Sequence, residues 1–111
     1  MTLAFRLASS LCAFAFLASA APKTGRQLFE TNCSVCHGKD GRGGPGGANL
    51  RANLKYGNNV KSIANVIIHG VPSNGMPSFA NKPSVEIHKL AEYVLTLHRQ
   101  SQGHPERSSL K

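Results

Sequence analysis

Apolar positions recur at helical spacing in three parts of the chain, and nowhere do they alternate with polar ones over the length of a strand. The longest stripe is Ile87, Leu90, Ala91, Val94, Leu95 and His98, opened by Ser84. A shorter one, Ile63, Val66 and Ile67, follows Ser62, a residue able to cap it, and stops at Gly70 and Pro72. Near the start, Thr24-Gly25-Arg26-Gln27 reads as a capping box: the Thr hydroxyl accepts from the backbone while Gln reaches back. Leu28, Phe29 and Asn32 continue that turn, and the helix ends near the cysteines. The pattern predicts an all-α domain of three main helices.

The connections are equally legible. Residues 38–47 hold six glycines and Pro45, a composition that excludes helix and strand interior and predicts a loop lying close to something. Residues 72–83 form a second loop. From Arg99 onward Gly103, Pro105 and several serines leave little to bury, so residues 99–111 are expected to be a polar, flexible tail.

The first twenty residues change the count. Arg6 precedes an apolar run over 7–17, and Ala18-Ser19-Ala20 supplies the small residues a signal peptidase accepts, which predicts cleavage before Ala21. The run is shorter than the ~20 residues that cross a bilayer, so no stable membrane insertion is expected after cleavage. Cys12 lies in this run without an aliphatic residue three positions before it, a poor lipidation site. The expected organisation is thus an export signal over 1–20, one domain over 21–98 and the tail. With 111 residues in all there is no room for a second catalytic module.

Composition adds a difficulty for the core. The chain has no Trp, two Tyr and eleven Gly, so large core fillers are scarce. Cleavage would remove Arg6 and leave twelve Lys and Arg against five acidic residues, a balance that favours an acidic partner. The basic residues are dispersed and no aromatics interleave with them, which argues against a nucleic-acid groove.

The chemistry is concentrated in Cys33-Ser34-Val35-Cys36-His37, the C-x-x-C-H arrangement that attaches a c-type haem. Two thiols one helical turn apart can each add to a haem vinyl group, and the adjacent imidazole becomes the proximal iron ligand. A thioredoxin-like pair shares the C-x-x-C spacing but needs strands around it, and a zinc site would want four ligands where no second Cys pair exists. One covalently held haem would also supply the missing apolar body of the core, so the apoprotein is expected to be largely unfolded. For the sixth iron position spacing offers Met76, in Gly75-Met76-Pro77-Ser78-Phe79, and His69 as its rival. Met is more often a gap filler, and a His ending a helix often meets the dipole.

With these residues in place the chain, over roughly residues 25–97, resembles the small class I cytochromes c. Gly25 and Phe29 look like the first-helix pair that packs on an aromatic of the last helix, here Tyr93. Cys33, Cys36 and His37 match the attachment site, and Met76 with Pro77 matches the axial methionine loop, so the resemblance implies ligation by His37 and Met76. One departure concerns the carbonyl that orients the proximal His: the family often supplies it from a Pro, Ala48 stands at that place, and Pro45 is offset by three residues. Leu50 is expected on the haem, with Arg51, Asn53 and Tyr56 as candidate partners of its propionates.

The resemblance implies an electron carrier and no enzyme, since an iron held by His and Met has no open position. Likeness to exported bacterial members implies a periplasmic protein whose partners are redox proteins, with an acidic docking surface matching the basic charge. The alternative is a dedicated electron-transfer subunit of a larger dehydrogenase or oxidase complex. A peroxidase would need the sixth ligand to leave, and a thiol oxidoreductase would need a free Cys33.

Overall fold

A computed structural model describes residues 21–103; the signal and cleavage site expected in 1–20, and the part of the expected tail over 104–111, lie outside the described residues. Four helices follow one another: α1 (Gly25–Asn32), α2 (Ser34–His37), α3 (Val60–His69) and α4 (Ser84–Ser101). A 3-10 turn over Pro72–Asn74 lies between the last two. Among the described residues there is no strand, only the isolated bridges Gly44 to Gly47 and Val71 to Met76. The all-α expectation therefore holds.

α1 begins at the expected capping box. Thr24 Oγ1 accepts from the Gln27 amide at 3.2 Å, and the Thr24 amide donates to Gln27 Oε1 at 2.9 Å, which satisfies two otherwise orphaned donors. Its apolar face, Leu28 and Phe29, is fully buried against α4. There the Phe29 and Tyr93 rings meet at a centroid distance of 5.3 Å, tilted by 55°. Gly25 makes the approach possible, because a Cβ on it would lie 2.6 Å from the Lys89 carbonyl oxygen and 3.0 Å from Tyr93 Cβ. Gly25→Ala should push the two helices apart and destabilise the fold by about 1–3 kcal/mol, read as a lower denaturant midpoint at unchanged m-value.

α3 starts earlier than its apolar stripe. Asn59, and not Ser62, is its cap: the Asn59 side chain accepts from the Ser62 amide at 2.9 Å. Val60 packs on the core and extends the helix by a turn that counting from Ile63 misses. Asn59→Ala should accordingly cost about 1 kcal/mol in thermal or chemical unfolding, and Ser62→Ala much less.

α4 is the spine on which α1 and α3 both pack. Ile87, Leu90, Ala91, Val94 and Leu95 are buried as the stripe predicts. Leu97, outside that stripe, is buried too, and its Cδ1 would sit 2.8 Å from a Cβ on Gly41. The helix also continues through Ser101, past the Arg99 where the sequence suggests a tail. The reason is tertiary: Ser101 Oγ donates to the Arg51 carbonyl, and Gln102 Nε2 donates to the carbonyls of Arg51 and Ala52 at 3.4 and 3.3 Å.

Candidate functional site

The C-x-x-C-H segment sits where α1 turns into α2. The Cys33 amide still donates to the Phe29 carbonyl at 2.8 Å, closing α1, and the His37 amide donates to the Cys33 carbonyl at 2.9 Å. Cys33, Cys36 and His37 thus occupy positions i, i+3 and i+4 of one helical turn and share a face. Both cysteines are free and partly buried. All three side chains line one cavity of about 310 Å³.

The rest of the cavity wall is almost wholly apolar. Phe29 closes it from α1, Ile63, Val66 and Ile67 from α3, and Leu90 and Val94 from α4. Leu50 and Leu54 contribute from the long loop before α3, and Phe79 from the loop before α4. Leu50, expected on the haem, is thus one of the residues lining this space. Leu54 and Phe79 were not among the sequence candidates, because single apolar residues in loops carry no periodic signal.

The orienting carbonyl of His37 is that of Ala48, 2.9 Å from Nδ1, and not that of Pro45. A carbonyl only accepts, so Nδ1 carries the ring proton and Nε2 keeps its lone pair for a metal. Behind it the glycine-rich loop folds tightly back: the Gly43 amide donates to the His37 carbonyl at 2.8 Å, and the Leu50 amide donates to the Gly41 carbonyl at 2.8 Å.

Met76 lies on the opposing loop and lines the same cavity. Its backbone pairs with Val71 in both directions, at 2.9 and 3.1 Å, across the 3-10 turn, and Gly75 closes that turn at φ 81°. Two further bonds tie the loop to the end of α3, from the Phe79 amide to the Ile67 carbonyl at 3.0 Å and from Ser78 Oγ to the Ile68 carbonyl at 2.5 Å. His69, the rival ligand, does not line this cavity. Its Nδ1 bonds to the Asn65 carbonyl at 2.9 Å, and its ring borders a separate groove with Tyr56 and Pro72.

Of the three candidate propionate partners, Asn53 and Tyr56 line the cavity. Arg51 does not; its Nε donates to the Asp40 carbonyl and braces the glycine loop. Burial pushes the Cys33 thiol up to about 11, against the pull of Lys82 and with a small addition from Cys36. A nucleophilic redox cysteine needs the opposite shift.

The donor set fits a haem c. Two thiols one turn apart, an imidazole with a fixed tautomer and a thioether converge on one apolar space, and no carboxylate lines it. Among the described residues no group of three His, Cys, Asp or Glu side chains is arranged to hold a bare metal ion.

Comparison with known proteins agrees with this chemistry. Residues 20–94 match the family described as cytochrome C oxidase, cbb3-type, subunit III. Cytochrome c6 of Cyanidium caldarium is 35% identical over 82 residues, covering 65% of this chain and 67% of its own length. The cbb3-type cytochrome c oxidase subunit CcoP of Rubrivivax gelatinosus is 37% identical over 75 residues, covering 66% of this chain and 25% of that protein. CcoP of Helicobacter pylori (strain 52) is 33% identical over 78 residues, covering 66% of this chain and 27% of that protein. The chain thus corresponds to about a quarter of these CcoP subunits. No solved structure matches it significantly. With the helical fold and the family match together, the chain belongs to the cytochrome c family as a small class I c-type cytochrome, a protein of haem binding and electron transport.

Proposed function

We propose that the protein holds one haem c through thioether bonds from Cys33 and Cys36, ligates its iron with His37 and Met76, and transfers single electrons between exported redox proteins. The observation that carries this reading is that His37, at the end of α2 with Nε2 left free by the Ala48 hydrogen bond, and Met76, on the loop before α4, line one largely apolar cavity. When bound, the haem supplies a one-electron iron couple.

The chain's own residues do the rest. Leu50, Ile67, Leu90 and Val94 exclude water from the cavity, which raises the reduction potential and lowers the solvent rearrangement that accompanies transfer. Met76, a neutral soft donor, raises the potential further. The double Val71 pairing fixes the loop that carries Met76, and an iron held by His37 and Met76 would offer substrate no open position, which suits a carrier and not an enzyme. Asn53 and Tyr56 are the propionate contacts.

Partners would meet the cavity mouth, where Val35 is 79% and Tyr56 51% exposed and where Lys55 stands 5.5 Å from the Tyr56 ring centre. An apolar rim with a cation beside it suits brief docking to an acidic surface. Export through the segment before Ala21 places the carrier in the periplasm; no described helix is long and apolar enough to cross a membrane. The likeness to CcoP supports a second reading, a dedicated subunit that stays with an oxidase. Co-purification with one stoichiometric complex at high salt selects that reading, whereas a monomer on gel filtration selects the shuttle.

The decisive test is the visible spectrum of the dithionite-reduced protein with and without carbon monoxide. A c-type spectrum that carbon monoxide leaves unchanged is expected; a shift would mean an open iron, and no haem after co-expression with maturation factors would defeat the proposal. With an acidic partner, the association rate should fall as ionic strength rises through the range where the Debye length drops from ~30 to ~8 Å.

A further inference from the structure

Three of the six glycines in residues 38–47, Gly38, Gly41 and Gly43, have φ of 79°, 72° and 100°, left-handed values that favour glycine whatever surrounds them, and two of the others stand apart. Gly44 and Gly47 have no such φ, so their backbone is open to any residue. What forbids a side chain there is proximity. A Cβ on Gly47 would lie 2.7 Å from the Cys36 carbonyl oxygen, 2.8 Å from its carbon and 2.9 Å from His37 Nδ1. A Cβ on Gly44 would lie 2.8 Å from the same oxygen. The two residues also bridge each other, the Gly44 amide donating to the Gly47 carbonyl at 3.2 Å.

The peptide that both glycines touch is the one joining Cys36 to His37, and the residue after Gly47 is Ala48, whose carbonyl accepts the hydrogen bond from His37 Nδ1. Ala48 has no ring to fix its φ, unlike a proline. We infer that Gly44 and Gly47 are positioning residues for the axial imidazole: their bare Cα atoms let the loop lie flat on the Cys36–His37 peptide and thereby aim the Ala48 carbonyl at Nδ1. This rests on His37 being the iron ligand. The hydrogen bond makes the imidazole a stronger donor to iron, which favours the oxidised state; an imidazole that loses it is a weaker donor. Any side chain at 44 or 47 lifts the loop and lengthens that bond.

The test uses the haem-loaded full chain carrying Gly47→Ala or Gly44→Ala, with reduction potential and solvent exchange of the His37 Nδ1 proton by NMR as readouts. Both variants should keep a c-type spectrum, show a higher potential than wild type, and exchange the Nδ1 proton at least tenfold faster, Gly47→Ala the more so because its Cβ meets Nδ1 itself. A general loss of stability would speed amide exchange everywhere without singling out this proton. If the added methyl prevents haem loading, Ala48→Gly, which adds no atom and only frees the carbonyl, must move both readouts in the same direction. Wild-type potential and wild-type Nδ1 exchange in the loaded variants overturn the positioning role alone. A wild type whose iron is not ligated by His37 overturns the functional reading with it.

Discussion

A Cys33→Ser, Cys36→Ser double variant, produced without haem, should lose most of its helical circular dichroism and show a collapsed amide spectrum. The wall of the cavity is the reason. Phe29, Ile63, Ile67, Leu90 and Val94 are core residues of α1, α3 and α4, and each also faces the cavity, so the space the haem would fill lies between the helices. Without a haem, the apolar side chains around this open space of about 310 Å³ face water, at a cost of about 25 cal/mol for each Å² left exposed, against a total stability of only ~5–15 kcal/mol for a small domain. The sequence has no Trp to collapse into the gap, and Tyr56 at its edge is half exposed. A well-dispersed spectrum from the haem-free variant would show that the helices hold one another without the cofactor.

Met76→Ala should leave covalent haem attachment and helical content intact yet open the sixth position. The dithionite-reduced variant should bind carbon monoxide fully where wild type binds none, and its reduction potential should fall by a readily measured part of the ~0.8 V span that axial ligation commands. The loop itself should survive, because none of the bonds that hold it uses the Met76 side chain: the backbone pairs of Val71 with Met76 in both directions and of Phe79 with Ile67, and the Ser78 hydroxyl on the Ile68 carbonyl. His69→Ala, by contrast, should leave both readouts unchanged, since that ring lies outside the cavity and its Nδ1 bonds to Asn65. An unchanged spectrum in Met76→Ala would remove Met76 as the ligand.

The residues differ in how openly they announce their roles. The capping box at Thr24 and Gln27 and the stripe of α4 follow from local rules that tertiary structure did not overrule. The α3 cap was misplaced because both Asn59 and Ser62 are good caps, and the choice is made by Val60, whose burial no local pattern announces. The end of α4 was read three residues early because Arg99, Gln100 and Ser101 are polar, while the force that keeps them helical comes from the Arg51 and Ala52 carbonyls half the chain away. At the site, the residues with distinctive chemistry, Cys33, Cys36, His37 and Met76, stand out by type, and the fold brings them to one cavity. Backbone groups do not stand out: every residue has a carbonyl, so the identity of Ala48 as the partner of His37 needed coordinates. Arg51 is the reverse case: its charge makes it a candidate for a propionate, and only the coordinates show its Nε on the Asp40 carbonyl and the residue outside the cavity lining.

The packing of α1 on α4 also bears on the order in which the molecule is made. The bond from Lys89 Nζ to the Lys23 carbonyl spans 66 positions, and the Gly25 to Tyr93 approach is slightly more distant still. A closure of that length is slow compared with local turns, because its entropy must be lost before the contact repays it. During synthesis the turn bearing Cys33 and Cys36 emerges long before α4, and until α4 docks, the wall formed by Leu90 and Val94 does not exist. The thiols are therefore reachable from the side that the finished fold seals. Late arrival of the last helix opens a time window in which a bulky flat group can be joined to the chain, after which the same helix locks it in.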